Sequence, residues 1–113
     1  MTAMISAPWA VVLAGGDGDR VSAMTRDAEG RAVPKQFWCG GGRTPMVRWA
    51  LARARRVAAT PRVLVAVREQ HRGFWEGTLA DVPRENILVQ PENRGTAAGV
   101  MRALVEIQSR EIT

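Results

Sequence analysis

The chain has 113 residues, 46% hydrophobic and 24% charged, a balance that excludes a disordered polymer and suits one globular domain spanning residues 1–113. No apolar run approaches the about 20 residues a membrane helix needs, and Met1–Ser6 lacks the basic and apolar parts of a secretory signal, so no membrane association is expected. The formal charge is +5, and the single cysteine, Cys39, excludes an internal disulfide framework, reads as a small buried or half-buried filler and suits a cytoplasmic location.

Trp9-Ala10-Val11-Val12-Leu13-Ala14 opens the chain's regular structure. It is a short apolar run without polar alternation, the pattern of a strand buried on both faces of a parallel sheet. It leads into Gly15-Gly16-Asp17-Gly18-Asp19-Arg20 and then an irregular stretch, Val21 to Val33, which reads as a flexible flap. Gly40-Gly41-Gly42 reads as a turn. Thr44-Pro45 predicts an N-cap followed by proline at the first helical position. Met46, Val47, Ala50, Leu51, Ala54 and Val57 then form an apolar stripe at helical spacing. Arg48, Arg53, Arg55, Arg56 and Arg62 lie on or just after this helix and read as a solvated face. Trp38, Trp49 and Trp75 are not interleaved with them as a nucleic-acid platform requires, so no nucleic-acid partner is expected.

Val63–Val67 predicts a second buried strand, Glu69 to about Ala80 a weaker helix containing Phe74 and Trp75, and Ile87–Val89 a third strand. His71, the only histidine, is placed on the exposed side of that weaker helix, without partners for a metal site or a triad. Beyond Thr96, the spacing of Val100, Ala103, Leu104 and Ile107 predicts the clearest helix. The alternation points to an α/β fold, a three-layer Rossmann-like sandwich with a mainly parallel sheet and right-handed crossovers. Three strands are few for this architecture, and no strand follows the last helix. The expectation is an incomplete domain with an exposed apolar sheet edge.

A glycine-rich turn at the carboxyl end of a first parallel strand is where such sheets bind ligands. Glycines let phosphate oxygens reach backbone N–H groups, and an arginine can grip those oxygens bidentately. A dinucleotide fingerprint starting at Gly16 fails at Val21, and a Walker loop fails because Gly18-Asp19-Arg20 replaces Gly-Lys-Ser/Thr.

The segment from Leu13 to Arg20, followed by Pro34-Lys35-Gln36-Phe37, instead resembles the signature of the sugar-phosphate nucleotidyltransferases. Lys35-Gln36-Phe37 looks most like the mannose-1-phosphate guanylyltransferase branch. Gln90-Pro91-Glu92-Asn93-Arg94-Gly95-Thr96-Ala97 is similar to that branch's Glu-Pro-x-x-Arg-Asn-Thr-Ala segment, with Gly95 where asparagine is usual. The resemblance implies transfer of a nucleotidyl group, from GTP in this branch, to a sugar 1-phosphate such as mannose 1-phosphate, with release of pyrophosphate. It also implies roles. Leu13, Ala14 and the amides of Gly15, Gly16 and Gly18 would cradle the triphosphate. Arg20 would neutralise the departing pyrophosphate, and Lys35 would stand by the α-phosphate. Gln90, Asn93, Gly95 and Thr96 would line the base pocket, although a plain cap at Thr96 is physically sufficient for that residue. Mg²⁺ is implied as cofactor, but the family's metal-binding aspartate lies on a later strand that cannot be located in this sequence; Asp17 and Asp19 read as facing solvent or as meeting a phosphate-bound Mg²⁺ through water, with repulsion favouring the first. The expected partners are small molecules, the nucleoside triphosphate and the sugar phosphate, and the 113-residue chain alone is expected to be inactive. A cytidylyltransferase of the polyol-phosphate type and a non-catalytic nucleotide-binding module stand as alternatives.

Overall fold

Five consecutive side chains, Val63 to Val67, are each at most 1% exposed. A run of that kind, rich in β-branched residues, suits the middle of a sheet covered on both faces. In the computed structural model, which describes residues 7–16, 24–40, 42–92 and 94–112, it forms the central strand. Strand β1 is Ala10–Leu13, β2 is Val63–Arg68 and β3 is Ile87–Gln90. They lie side by side in the order β1-β2-β3, all parallel, with Ala10 opposite Val63 and Val65 opposite Ile87.

Because side chains alternate across a strand, β2 feeds two separate cores. Val63, Val65 and Val67 pack with Val12, Val47, Leu51, Trp75 and Leu79, which brings helices α1 (Met46–Arg55) and α2 (Arg72–Thr78) onto one face. Leu64 packs with Leu88 and Ala103, and with the half-buried Trp9, Val11 and Ile107, so α3 (Thr96–Ile112) covers the other face. The result is the three-layer α/β arrangement expected from the sequence.

Several local expectations are corrected. Helix α1 begins at Met46; Pro45 is extended, with ψ 151°, and no side chain caps the helix. The stripe on α1 buries Val47 and Leu51, while Met46 and Val57 are 46% and 65% exposed. The weak second helix is split into a 3₁₀ turn, Glu69–His71, and the short α2. His71 is buried rather than exposed: its ring meets Phe37 and Phe74 edge-on, at centroid distances of 6.1 and 6.4 Å. The 3₁₀ turn directs it inward, and burial together with the nearby Arg68 charge pushes its pKa below the usual imidazole value.

The stretch read as a flap is, over its described part, a tight hairpin. Arg26 and Ala32 form an antiparallel bridge, and the Asp27 carboxylate accepts from the Glu29 and Arg31 N–H groups at 3.0 and 2.8 Å. Gly30 closes the turn at φ +80°, which an L side chain rarely adopts. The expected glycine turn is seen at its described residues, with Gly40 at φ +60° and the Gly42 N–H donating to the Cys39 carbonyl; Gly41 lies outside them.

The arginines near α1 tie elements together. Arg48 and Arg55 both bind Asp81, at 2.7 and 3.0 Å, joining α1 to the loop after α2. Arg62 binds Glu111 at 2.8 Å and lies over the Trp9 ring. The Arg48 guanidinium, and next that of Arg55, hold the Asp81 carboxyl at about 2, below its ordinary 3.8. A carboxylate with a lowered folded pKa stabilises the protein above its unfolded value and loses that contribution as pH falls through the folded one. Acid unfolding of the native chain is therefore expected to steepen between about pH 4 and pH 2, and Asp81→Asn to flatten that interval in a pH series of urea melts. At neutral pH the same substitution should cost about 1 kcal/mol, because the pair is partly exposed and screened by solvent.

Both edge strands, β1 and β3, pair only with β2 among the described residues. A groove of about 470 Å³ runs along the outer edge of β1 between Val11, Leu13, Ala50, Ala54 and Val57. On α3, Val100 and Leu104 are exposed, whereas Gly99 and Ala103 are the buried positions. The apolar sheet edge expected from the sequence is present, and the exposed part of the α3 stripe extends the apolar surface.

Candidate functional site

In a parallel sheet every strand points its carboxyl end the same way, so the loops after β1 and β3 emerge on one side of the molecule. Ala14 extends β1 by one residue, its N–H donating to the Ala66 carbonyl at 2.8 Å. Gly15 and Gly16 then leave the sheet. On the far side of β2, Gln90 ends β3 opposite Arg68. The small Ala66 between them leaves room for the two flanking strands to meet. A Cβ placed on Gly15 would stand 3.3 Å from Gln90 Oε1, closer than nearly all real contacts of that kind. Glycine at position 15 thus lets the first loop approach the third strand without displacing the Gln90 side chain.

A third wall comes from the 3₁₀ turn Lys35–Phe37. Pro34 sets it, and Phe37 anchors it in the core, stacked on Phe74 at 5.9 Å. Lys35 stays exposed at the rim. The Gln36 side chain turns back to the glycine loop, where its Nε2 donates to the carbonyls of Ala14 and Gly16 at 2.8 and 2.9 Å.

The fourth wall is the start of α3. Gly95 has φ +90°, which explains why glycine can stand where the resembled segment has asparagine: these are the residues best able to adopt positive φ. Thr96 is the first helical residue, and the Gly95 carbonyl accepts from the Gly99 N–H. The plain cap considered for Thr96 therefore falls one residue earlier. Gly99 is buried one turn into the helix; a Cβ there would lie 3.6 Å from both Gln90 Oε1 and Leu13 Cδ2.

These walls enclose a cleft of about 320 Å³, a size that suits a small-molecule ligand. Of the residues expected from sequence, Leu13, Gly15, Gly16, Lys35, Gln90, Gly95 and Thr96 line it together, and Ala14 lies buried just behind. Gly18, Arg20 and Asn93 lie outside the described residues, as do Asp17 and Asp19. Ala66, Gly99 and Gln36 also line the cleft without having been assigned a role. Gly99 was detectable in principle, since a glycine within a helix costs about 1 kcal/mol and calls for a reason.

The described lining holds one charged side chain, the Lys35 ammonium, together with amide, hydroxyl and backbone groups. An exposed cation beside a glycine loop favours an anion, and the start of a helix of 17 residues adds a positive dipole end on the opposite wall. The cleft's described lining has no carboxylate, and among the described residues no three His, Cys, Asp or Glu side chains gather as metal ligands. The described lining therefore supplies no carboxylate of its own to the implied Mg²⁺, and Asp17 and Asp19 of the glycine loop lie outside the described residues. No helix among the described residues is long and apolar enough to cross a membrane.

A search of curated proteins returned no match. The family model described as nucleotidyl transferase matches residues 9–112, which takes in all three strands and every wall of the cleft. The chain belongs to the nucleotidyl transferase family.

Proposed function

We propose that the cleft is the nucleoside triphosphate site of a sugar-phosphate nucleotidyltransferase, with GTP as donor and mannose 1-phosphate as acceptor. The observation that carries the site is the convergence of the Gly15–Gly16 turn, Lys35, Gln90 and the Gly95–Thr96 helix start on one cleft at the carboxyl end of the sheet. The guanylyl and mannosyl preferences rest on the Lys35-Gln36-Phe37 and Asn93–Ala97 segments.

In this reading the triphosphate lies along the amides of Gly15, Gly16 and Gly18, and the base sits against Gln90, Asn93, Gly95 and Thr96. An oxygen of the sugar phosphate attacks the α-phosphorus in line. The bond from that phosphorus to the bridging oxygen breaks, and pyrophosphate leaves with the electron pair. Lys35 offsets charge at the α-phosphate and Arg20 at the pyrophosphate, so catalysis consists of positioning and charge neutralisation, with no protein nucleophile.

A thermal-shift series with GTP, CTP and UTP tests the donor. A ligand at a hundred times its Kd stabilises the folded state by about 2.7 kcal/mol, so GTP is expected to raise the Tm by roughly 10 °C at saturation and the pyrimidine nucleotides far less. A larger shift with CTP would move the assignment to cytidylyl transfer. No shift with any of the three would contradict a nucleotide site.

A further inference from the structure

Two carbonyl oxygens flank Gly15, that of Ala14 just behind the cleft and that of Gly16 in its lining, and both accept from one amide, the Nε2 of Gln36. A bare carbonyl at the mouth of an anion site repels what the site is meant to bind, and two of them in a glycine turn leave the backbone free to rotate. One NH₂ group supplies two donors, so Gln36 satisfies both oxygens and fixes both peptides at once. A planar trans peptide sets N–H opposite C=O, so pinning the Ala14 carbonyl also fixes the direction of the Gly15 N–H.

The clamp has a rigid base. Gln36 sits between Lys35, which lines the cleft, and Phe37, which is 6% exposed and packed on Phe74 and His71. The same three-residue turn therefore presents the cation and holds the loop.

We propose that Gln36 is a positioning residue that locks the glycine loop and Lys35 into one anion-receiving unit. The proposal rests on the nucleotide reading of the cleft. Gln36 does not contact the reacting phosphorus in this account; it acts through the backbone of Ala14–Gly16.

Two variants of similar size separate the clamp from bulk packing. Gln36→Glu keeps the shape but points a carboxylate at two carbonyls, and Gln36→Met keeps the volume without a donor. Hydrogen exchange of the nucleotide-free protein is read over Leu13–Gly16 and, as a fold control, over Val63–Val67. Both variants are expected to speed exchange in the first segment about tenfold, the equivalent of one lost hydrogen bond, and leave the second unchanged. Titration with GTP at pH 7.5 is expected to show about tenfold or more weaker binding for both. Below about pH 5 the Gln36→Glu carboxyl takes up a proton and can donate one bond, so this variant alone should regain affinity relative to the native chain.

Unchanged exchange in Leu13–Gly16 overturns the clamp. So does altered exchange with GTP affinity equal to the native chain, or a loss in Gln36→Glu that shows no recovery at low pH. Failure of the native chain itself to bind GTP, CTP or UTP overturns the nucleotide reading, and with it the proposal. That outcome is seen in the native protein and is distinct from a failure confined to the variants.

Discussion

Asn86→Ala is expected to lower the unfolding free energy by about 3 kcal/mol, the largest effect on stability anticipated for any single polar residue in the chain. Asn86 is 1% exposed, and its Nδ2 donates to the carbonyls of Thr60, Pro61 and Val63 at 3.4, 3.2 and 3.1 Å. Its Oδ1 accepts from Arg110 at 2.6 Å. One side chain thus joins the entry to β2, the turn before β3 and the last helix, in a place water does not reach. Truncation leaves a buried carbonyl without its donor and removes a charge-assisted bond, and each such group costs about 1–3 kcal/mol. Against a typical domain stability of about 5–15 kcal/mol this is a large fraction, visible as a drop of roughly 10 °C in Tm. Asn86→Asp should behave similarly at neutral pH, because a carboxylate can still accept from Arg110 but cannot donate to the carbonyls. Urea melts of the two variants check this; a change below about 1 kcal/mol in both would mean that the Asn86 bonds contribute little.

Gly99→Leu is expected to abolish nucleotide binding while leaving the fold intact. Gly99 is buried in the first turn of α3, and its missing side chain faces Gln90 and Leu13 across the cleft. A Cβ alone fits at ordinary contact distance, 3.6 Å, so Gly99→Ala should be tolerated and should stabilise the helix by about 0.5–1 kcal/mol. The further three carbons of leucine have nowhere to go except the space above Gln90. Overpacking of this buried position costs about 1–3 kcal/mol, offset in part by the better helix propensity, while affinity falls at least about a hundredfold in protein that is still folded. Measuring Tm and GTP affinity on the same three proteins separates the outcomes. Equal affinity in Gly99→Leu would show that the ligand does not use this wall.

The layers were legible because strands buried on both faces are written as unbroken apolar runs, and Val63–Val67 needs no partner information to be recognised. The ligand-side loops were legible for a related reason: Gly15, Lys35 and Gly95 are residue types that a close approach, a cation and a positive φ favour, whereas a Cβ on Gly16 would meet open space. What stayed hidden depends on direction. His71 looked exposed on a regular helix, but three residues of 3₁₀ turn rotate it onto Phe37 and Phe74. Val100 and Leu104 have helical spacing, yet α3 lies on the sheet through Gly99 and Ala103, whose small size suits close packing. Polarity was equally uninformative for Asp27, whose carboxylate folds back on its own turn and makes a hairpin of a stretch that reads as loose. Gln36 stood inside a recognised motif, but an amide that clamps backbone carbonyls has no spacing rule to reveal it.

The proposed nucleoside triphosphate site is the cleft between the glycine loop, Lys35 and the start of α3. The most direct test is a two-dimensional amide NMR titration of the isotope-labelled chain with GTP. Saturable shifts should concentrate on Gly15, Gly16, Lys35, Gln36, Gln90, Gly95, Thr96 and Gly99, and leave the Asn86–Arg110 and Arg48–Asp81 regions unmoved. Saturable shifts centred on the β1 edge groove or on the arginines of α1, with Gly15, Gly16 and Thr96 unmoved, would contradict the account.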